Sequence, residues 1–397
     1  MMPDTPHLTH HPSALLTTTD FVKLTSFIAL QLETDRMSHN LPDRLVRTVQ
    51  TLLACTMLLG SYAGAAEKLA NVTILATGGT IAGSGASSTT TVGYTAATVG
   101  VDTLIKAVPE LSKVAQVKGE QVFQIASENM TNEHWLALAK RVNTLLAQAD
   151  VDGIVITHGT DTLEETAYFL DLTVKSKKPV VLVGAMRPGT ALSADGPINL
   201  YNAVLLAASK DAVGKGVLVA LNDQIHSARD VSKTNTSTPD SFKTPELGLL
   251  GYIQGSKPYF YRASTRKHTV DAEFDVSKLT TLPQVDIVYG YANVGPVALN
   301  ALVAAGAKGI IHAGVGDGSL AATVKPALVA ARKQGVVIVR ASRVGQGILA
   351  RNGEANDDEL DFVAADTLSA QKARILLMLA LTKTADTRAI QQMFYTY

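Results

Sequence analysis

The sequence predicts an α/β protein of two domains. The larger, N-terminal one is built on a mostly parallel sheet flanked by helices, and the smaller, C-terminal one on a doubly wound parallel sheet. Three observations predict it. Short apolar runs of strand length at 72–76, 154–157, 179–185 and 216–221 alternate with segments of helical spacing, the pattern of βαβ units. Two of those runs end abruptly in glycine and threonine, as a parallel strand does when it delivers a loop at its carboxyl end. The alternation lapses over 261–281, polar and irregular with clustered Arg, Lys and His, and then restarts with strands at 285–291, 309–313 and 336–340. The expected domains are therefore 67–261 and 284–397, joined by a linker at 262–283.

The elements follow in order. After the first strand comes a Gly/Ser/Thr-rich loop at 83–100, then helical spacing of Leu, Ile and Val over 101–114. A strand at 121–126 ends at Ser127-Glu128-Asn129, and 133–149 reads as an amphipathic helix. Asp161-Thr-Leu-Glu164 has the spacing of a capping box, with Thr160 also suited to an N-cap. In the second half, Ala-rich helices are expected at 297–307 and 321–334, and closing helices at 369–381 and 387–394.

The amino terminus differs in character. Residues 1–36 are polar and without a period, and read as a non-native extension ahead of a true start at Met37. Residues 37–66 carry a basic stretch with Arg44 and Arg47, an apolar run at 51–59 and the small residues Ala63-Gly-Ala65, the parts of a secretory signal peptide. The apolar run is too short to span a membrane. Leu52-Leu-Ala-Cys55 offers a lipoprotein processing site as a less favoured reading. Cys55 is the only cysteine, which leaves the rest of the chain without disulfides, a zinc pattern or a thiol nucleophile. Nine scattered histidines suggest no metal site, and 35 basic against 35 acidic residues leave no basic patch for nucleic acid.

The candidate chemistry lies at the strand ends. Open α/β sheets bind ligands there, and glycine lets backbone approach them closely. Thr80 and Thr160 are placed for nucleophilic work, with Asp161 and Lys233 as a base network. A threonine hydroxyl is a poor nucleophile until a base removes its proton, and a desolvated lysine can serve as that base.

Five segments carry a resemblance: Ala76-Thr-Gly-Gly-Thr-Ile-Ala-Gly83, His158-Gly-Thr-Asp-Thr162, Gly184-Ala-Met-Arg-Pro188, Ser193-Ala-Asp-Gly-Pro197 and Asp230-Val-Ser-Lys-Thr-Asn235. In order and at family spacing over 69–397, they resemble the bacterial type II L-asparaginases, most closely the glutaminase-asparaginase branch. The resemblance implies hydrolysis of the side-chain amide of L-asparagine and L-glutamine through an acyl-enzyme, with no cofactor and no metal. It implies that Thr80 is the nucleophile, that Tyr94 hydrogen-bonds it beneath a mobile lid, and that Thr160, Asp161 and Lys233 form a second catalytic cluster. Asp161 and Glu128 would hold the substrate ammonium, while Ser127 and backbone N–H groups near Gly159 would hold its carboxylate. Ser319 and Glu354 would enter from a neighbouring subunit of a homotetramer built from intimate dimers. Glu128 and Ser319 stand where strict asparaginases often carry glutamine and asparagine, which suits dual specificity; Asp317 departs from the family pattern. The export signal implies a periplasmic enzyme. Two other readings are a strict L-asparaginase and a periplasmic amino-acid-binding protein; the latter leaves Thr80, Thr160 and Lys233 without work.

Overall fold

The apolar runs become strands because both of their faces are apolar. In the computed structural model, which describes residues 68–397, β1 (Asn71–Gly78), β2 (Gln116–Ile125), β3 (Gly153–Thr157), β4 (Val180–Val183) and β5 (Val217–Leu221) run parallel. Successive side chains point to opposite sides. Ile154 and Ile156 join a core with the helices Asn132–Leu146 and Leu163–Thr173, where Trp135 stacks on Phe169 at 5.5 Å. Val155 points the other way, toward Leu200 and Ala203 of the helix Gly196–Ala208. A strand covered on both faces in this way is expected to be apolar throughout.

Five strands of the first half were not expected from the sequence. β6 (Gln224–Ser227) turns back antiparallel on β5, a small hairpin of β7 (Ser232–Lys233) and β8 (Phe242–Lys243) follows, and β9 (Gly251–Gln254) and β10 (Lys257–Phe260) complete the sheet. The full order is β10-β9-β6-β5-β4-β3-β1-β2.

The second sheet is parallel throughout, with β11 (Val285–Tyr289), β12 (Gly309–Gly314), β13 (Val337–Ser342) and β14 (Val363–Ala364) in chain order. Leu299 and Leu328, on the helices Val297–Ala304 and Lys325–Lys333, pack with Val288, Ile310 and Ile338 on one face. The helix Ala370–Ala380 packs on the other, with Ile311, Val337 and Val339. That core is continuous with the one beside Ile154 and Ile156, so residues Leu69–Tyr397 form one compact unit.

Several local expectations change. Helical structure at 101–114 breaks into the helix Val101–Lys106 and a 3-10 segment Pro109–Lys113, because Pro109 cannot continue a helix. The capping box at 161–164 does not form: the helix starts at Leu163 behind Thr162, and Glu164 turns its carboxylate elsewhere. A capping box does form at Thr131, with His134 in the third position. Segment 262–283, though mostly irregular, buries Ala272, Phe274 and Val276 in the core. The expected extension at 1–36 and signal segment at 37–66 lie outside the described residues.

Candidate active site

Three neighbouring strand ends build the site. β1 lies between β2 and β3 and is parallel to both, with Ala76 opposite Thr157. The chain leaves β1 through Gly78 and Gly79 into Thr80, leaves β3 through His158 and Gly159 into Thr160, and leaves β2 into Ser127 and Glu128. Gly79 has φ +81, in the left-handed region that favours glycine. Its neighbour across the strand ends is Gly159: a Cβ on Gly79 would lie 2.3 Å from the Gly159 Cα. Bare backbone against bare backbone brings the two threonines to one place.

Each threonine has its own partner. Thr80, buried, has its hydroxyl 2.7 Å from the Tyr94 hydroxyl. Tyr94 arrives on the loop 83–100, which folds back through a Ser84–Thr95 bridge and the Ala97 N–H donating to the Gly79 carbonyl at 3.0 Å. Thr160, also buried, accepts from Lys233 Nζ at 2.9 Å, and the same Nζ donates to Asp161 Oδ1 at 2.6 Å. The side chain of Lys233 is 16% exposed and that of Asp161 61%, so the ion pair has one sheltered end and one end open to a ligand. Ser127 fastens the β2 and β3 ends, its hydroxyl accepting from Asp161 N–H at 3.2 Å and its carbonyl accepting from the Thr162 hydroxyl at 2.8 Å.

These residues share a cavity of about 310 Å³. Thr80, Tyr94, Ser127, Glu128, Thr160, Asp161 and Lys233 all line it, and Gly159 lies against Ser127 beneath. Met186, Thr236 and Ser237 line it as well, although the sequence reading assigned them nothing. Met186 stood within a motif, which could have flagged it; Thr236 and Ser237 follow Lys233 in an ordinary Ser/Thr-rich turn that carries no signal.

Ser319 and Glu354 are elsewhere. They sit on the second domain, with the Ser319 hydroxyl donating to Glu354 Oε2 at 3.4 Å, and neither lines the cavity. A fully buried ion pair holds their loops: Arg340 donates to both oxygens of Asp357 at 2.9 and 2.7 Å, and to the carbonyls of Asp317 and Ala350 at 2.7 Å each. Asp317 therefore anchors its loop through its backbone. Breaking such a buried pair costs roughly 3–5 kcal/mol.

His158 was not singled out in the sequence, yet it shapes the Thr160 loop. Trp135 Nε1–H donates to the Thr166 hydroxyl at 2.9 Å, and that hydroxyl lies 2.9 Å from His158 Nε2. His158 Nδ1 lies 2.7 Å from the Gly159 carbonyl. One arrangement satisfies every group: Thr166 donates to Nε2, and Nδ1–H donates to Gly159. That needs a neutral ring, and burial pushes the His158 pKa down to about 4.

Two hydroxyls, one paired to a phenol and one to a lysine–carboxylate couple, meet at the carboxyl edge of a parallel sheet, an arrangement suited to hydrolysing an amide. The chain belongs to the asparaginase family: the profile "Asparaginase, N-terminal" matches residues 71–266 and "Glutaminase/Asparaginase C-terminal domain" matches 284–394. It is 57% identical over 331 residues to a glutaminase-asparaginase of Pseudomonas fluorescens biotype A, covering 83% of this chain and 91% of that one. To a probable periplasmic L-asparaginase of Haemophilus influenzae it is 53% identical over 344 residues, covering 86% and 98%. The crystal structure of a probable cytoplasmic L-asparaginase from Campylobacter jejuni superposes with a TM-score of 0.81 at 53% identity, covering 83% of this chain and all of that one. The protein is thus a hydrolase acting on linear amides.

Proposed function

We propose that this enzyme hydrolyses the side-chain amides of both L-asparagine and L-glutamine, using Thr80 as nucleophile. The observation that carries the reading is the meeting in one cavity of the Thr80–Tyr94 contact, 2.7 Å, and the Lys233–Thr160 contact, 2.9 Å. The Thr80 oxygen attacks the amide carbon, and its proton leaves through Tyr94 or the Thr160–Lys233 couple. Thr160 and a water polarise the carbonyl as negative charge develops on its oxygen. The carbon–nitrogen bond breaks, ammonia departs with a proton, and water cleaves the resulting ester to free the acid and Thr80. Asp161 and Glu128 take the substrate ammonium, and Ser127 with the nearby backbone takes its carboxylate.

The wider architecture belongs to the same proposal. Residues 67–261 and 284–397 are the two domains, with 262–283 between them. Ser319 and Glu354 serve the cavity of a neighbouring copy, in a homotetramer made of two intimate dimers. Neither lines the cavity of its own chain, which supports this. Export to the periplasm is supported by the signal-like pattern at 37–66 and by the name of the Haemophilus relative.

The test is ammonia release by the purified chain, with L-asparagine and L-glutamine offered separately. Comparable kcat/KM for both supports the reading. Release from asparagine alone would make the enzyme a strict asparaginase, and release from neither would overturn the proposal.

A further inference from the structure

Lys233 sits on a hairpin too short to hold itself. β7 and β8 pair over two residues each, so the ladder alone cannot fix where the Lys233 ammonium stands. Glu164 holds the hairpin backbone at Lys233 from outside, Gln371 braces Glu164, and Lys372 holds the chain just before the hairpin. The Lys233 N–H donates to Glu164 Oε2 at 2.6 Å. Glu164 Oε1 accepts in turn from Gln371 Nε2 at 2.7 Å. Lys372 Nζ donates to the Arg229 carbonyl at 2.7 Å and also to the Val231 carbonyl, two residues before Lys233.

The origin of these groups matters. Gln371 and Lys372 open the helix Ala370–Ala380, which covers one face of the second sheet. Glu164 lies in the first turn of the helix that follows Thr160. Lys372 is 2% exposed and Glu164 5%, and a chain seldom buries such residues unpaired. We infer that Glu164, Gln371 and Lys372 are positioning residues for the reaction, through which the second domain sets the place of Lys233 Nζ against Thr160. Sequence alone hid this: Glu164 fits a capping box by spacing, while Gln371 is 207 residues away along the chain.

The inference rests on the proposed role of Lys233, and the test separates the two. Glu164→Ala, Glu164→Gln, Gln371→Leu and Lys372→Met would be compared with the unaltered enzyme for kcat and KM on L-asparagine. Displacing a catalytic group by about 1 Å can cost on the order of a hundredfold. Glu164→Ala and Lys372→Met should therefore lose roughly ten- to a hundredfold in kcat, and Gln371→Leu about tenfold, with KM within about twofold. Glu164→Gln keeps an acceptor for the Lys233 N–H and, with the Gln371 amide reversed, a bond to that side chain. It should retain kcat within about threefold. If Lys372→Met does not fold, the Glu164 pair and Gln371→Leu still decide. Unchanged kcat in Glu164→Ala and Gln371→Leu, or a loss in Glu164→Gln as large as in Glu164→Ala, would overturn the inference. No ammonia from the unaltered enzyme would instead overturn the proposed function, and this inference with it.

Discussion

Gly79 and Gly159 meet backbone to backbone, so close that a Cβ on Gly79 would lie 2.3 Å from the Gly159 nitrogen as well as from its Cα. This contact sets how near the Thr80 loop can come to the Thr160 loop. A Cβ added to Gly159 would lie 2.6 Å from Ser127 Oγ and 3.2 Å from the Gly79 Cα. Gly159→Ala must then displace Ser127, Thr160 or both. We expect a stability loss of about 1–3 kcal/mol and a kcat loss on the order of a hundredfold. Thermal melts and steady-state kinetics on one preparation would check it; native kcat in the variant would show that the contact does not set the site.

Lys233→Met keeps much of the length of the side chain and removes its charge and donors. Thr160 and Asp161 lose the atom they share. The expected result is a kcat fall of at least about a thousandfold with KM changed only severalfold, the signature of an interaction made in the transition state. A rise in KM at constant kcat would make Lys233 a binding residue.

The shared-site proposal makes a quantitative forecast. Thr80→Ala and Glu354→Ala chains should each be nearly inactive alone. Refolded together as random dimers, half would be mixed, and each mixed dimer would hold one intact site of two, restoring about a quarter of native activity. If mixing restores nothing while the assembly forms, Glu354 serves the cavity of its own chain or none.

Two buried groups give opposite dependences on pH. Burial holds His158 down to about 4, below its ordinary 6.5, so the unfolded chain binds that proton more readily; its contribution to stability is complete above about 6.5 and is lost as pH falls toward 4. Asp171 is raised by burial from 3.8 to about 7, so folding favours its neutral form and stability is lost as pH rises from about 4 through 7. Its Oδ1 accepts from Val217 N–H at 2.7 Å, a bond that Asp171→Asn can keep. The Tm of Asp171→Asn relative to the unaltered enzyme should therefore be higher at pH 8 than at pH 4. A relative gain that is larger at pH 4 would contradict the assignment.

Legibility in the sequence followed the physics of each element. The parallel strands were readable because Ile154–Ile156 and their neighbours are apolar on both faces, and the strand ends were readable because Gly-Thr interrupts them abruptly. β9 was not, since Gly251–Gln254 alternates buried and exposed positions over only four residues. Local spacing pointed to Thr80, Thr160 and Asp161, while the place of Tyr94 came with the family resemblance. Arg340 read as the end of a strand, and its bidentate pair with Asp357 emerges only when chain far apart comes together. Glu164 shows the reverse error: a sound local pattern was overruled by partners supplied from the rest of the fold.

The central claim is that Thr80 attacks the amide, and one measurement tests it most directly: ammonia release from L-asparagine and L-glutamine by Thr80→Ala beside the unaltered enzyme, with circular dichroism and oligomeric state recorded for both. Removing a nucleophile should lower kcat by at least about a thousandfold on both substrates while fold and assembly stay as they were. Turnover within about tenfold of the unaltered enzyme would contradict the account and move the nucleophile to Thr160.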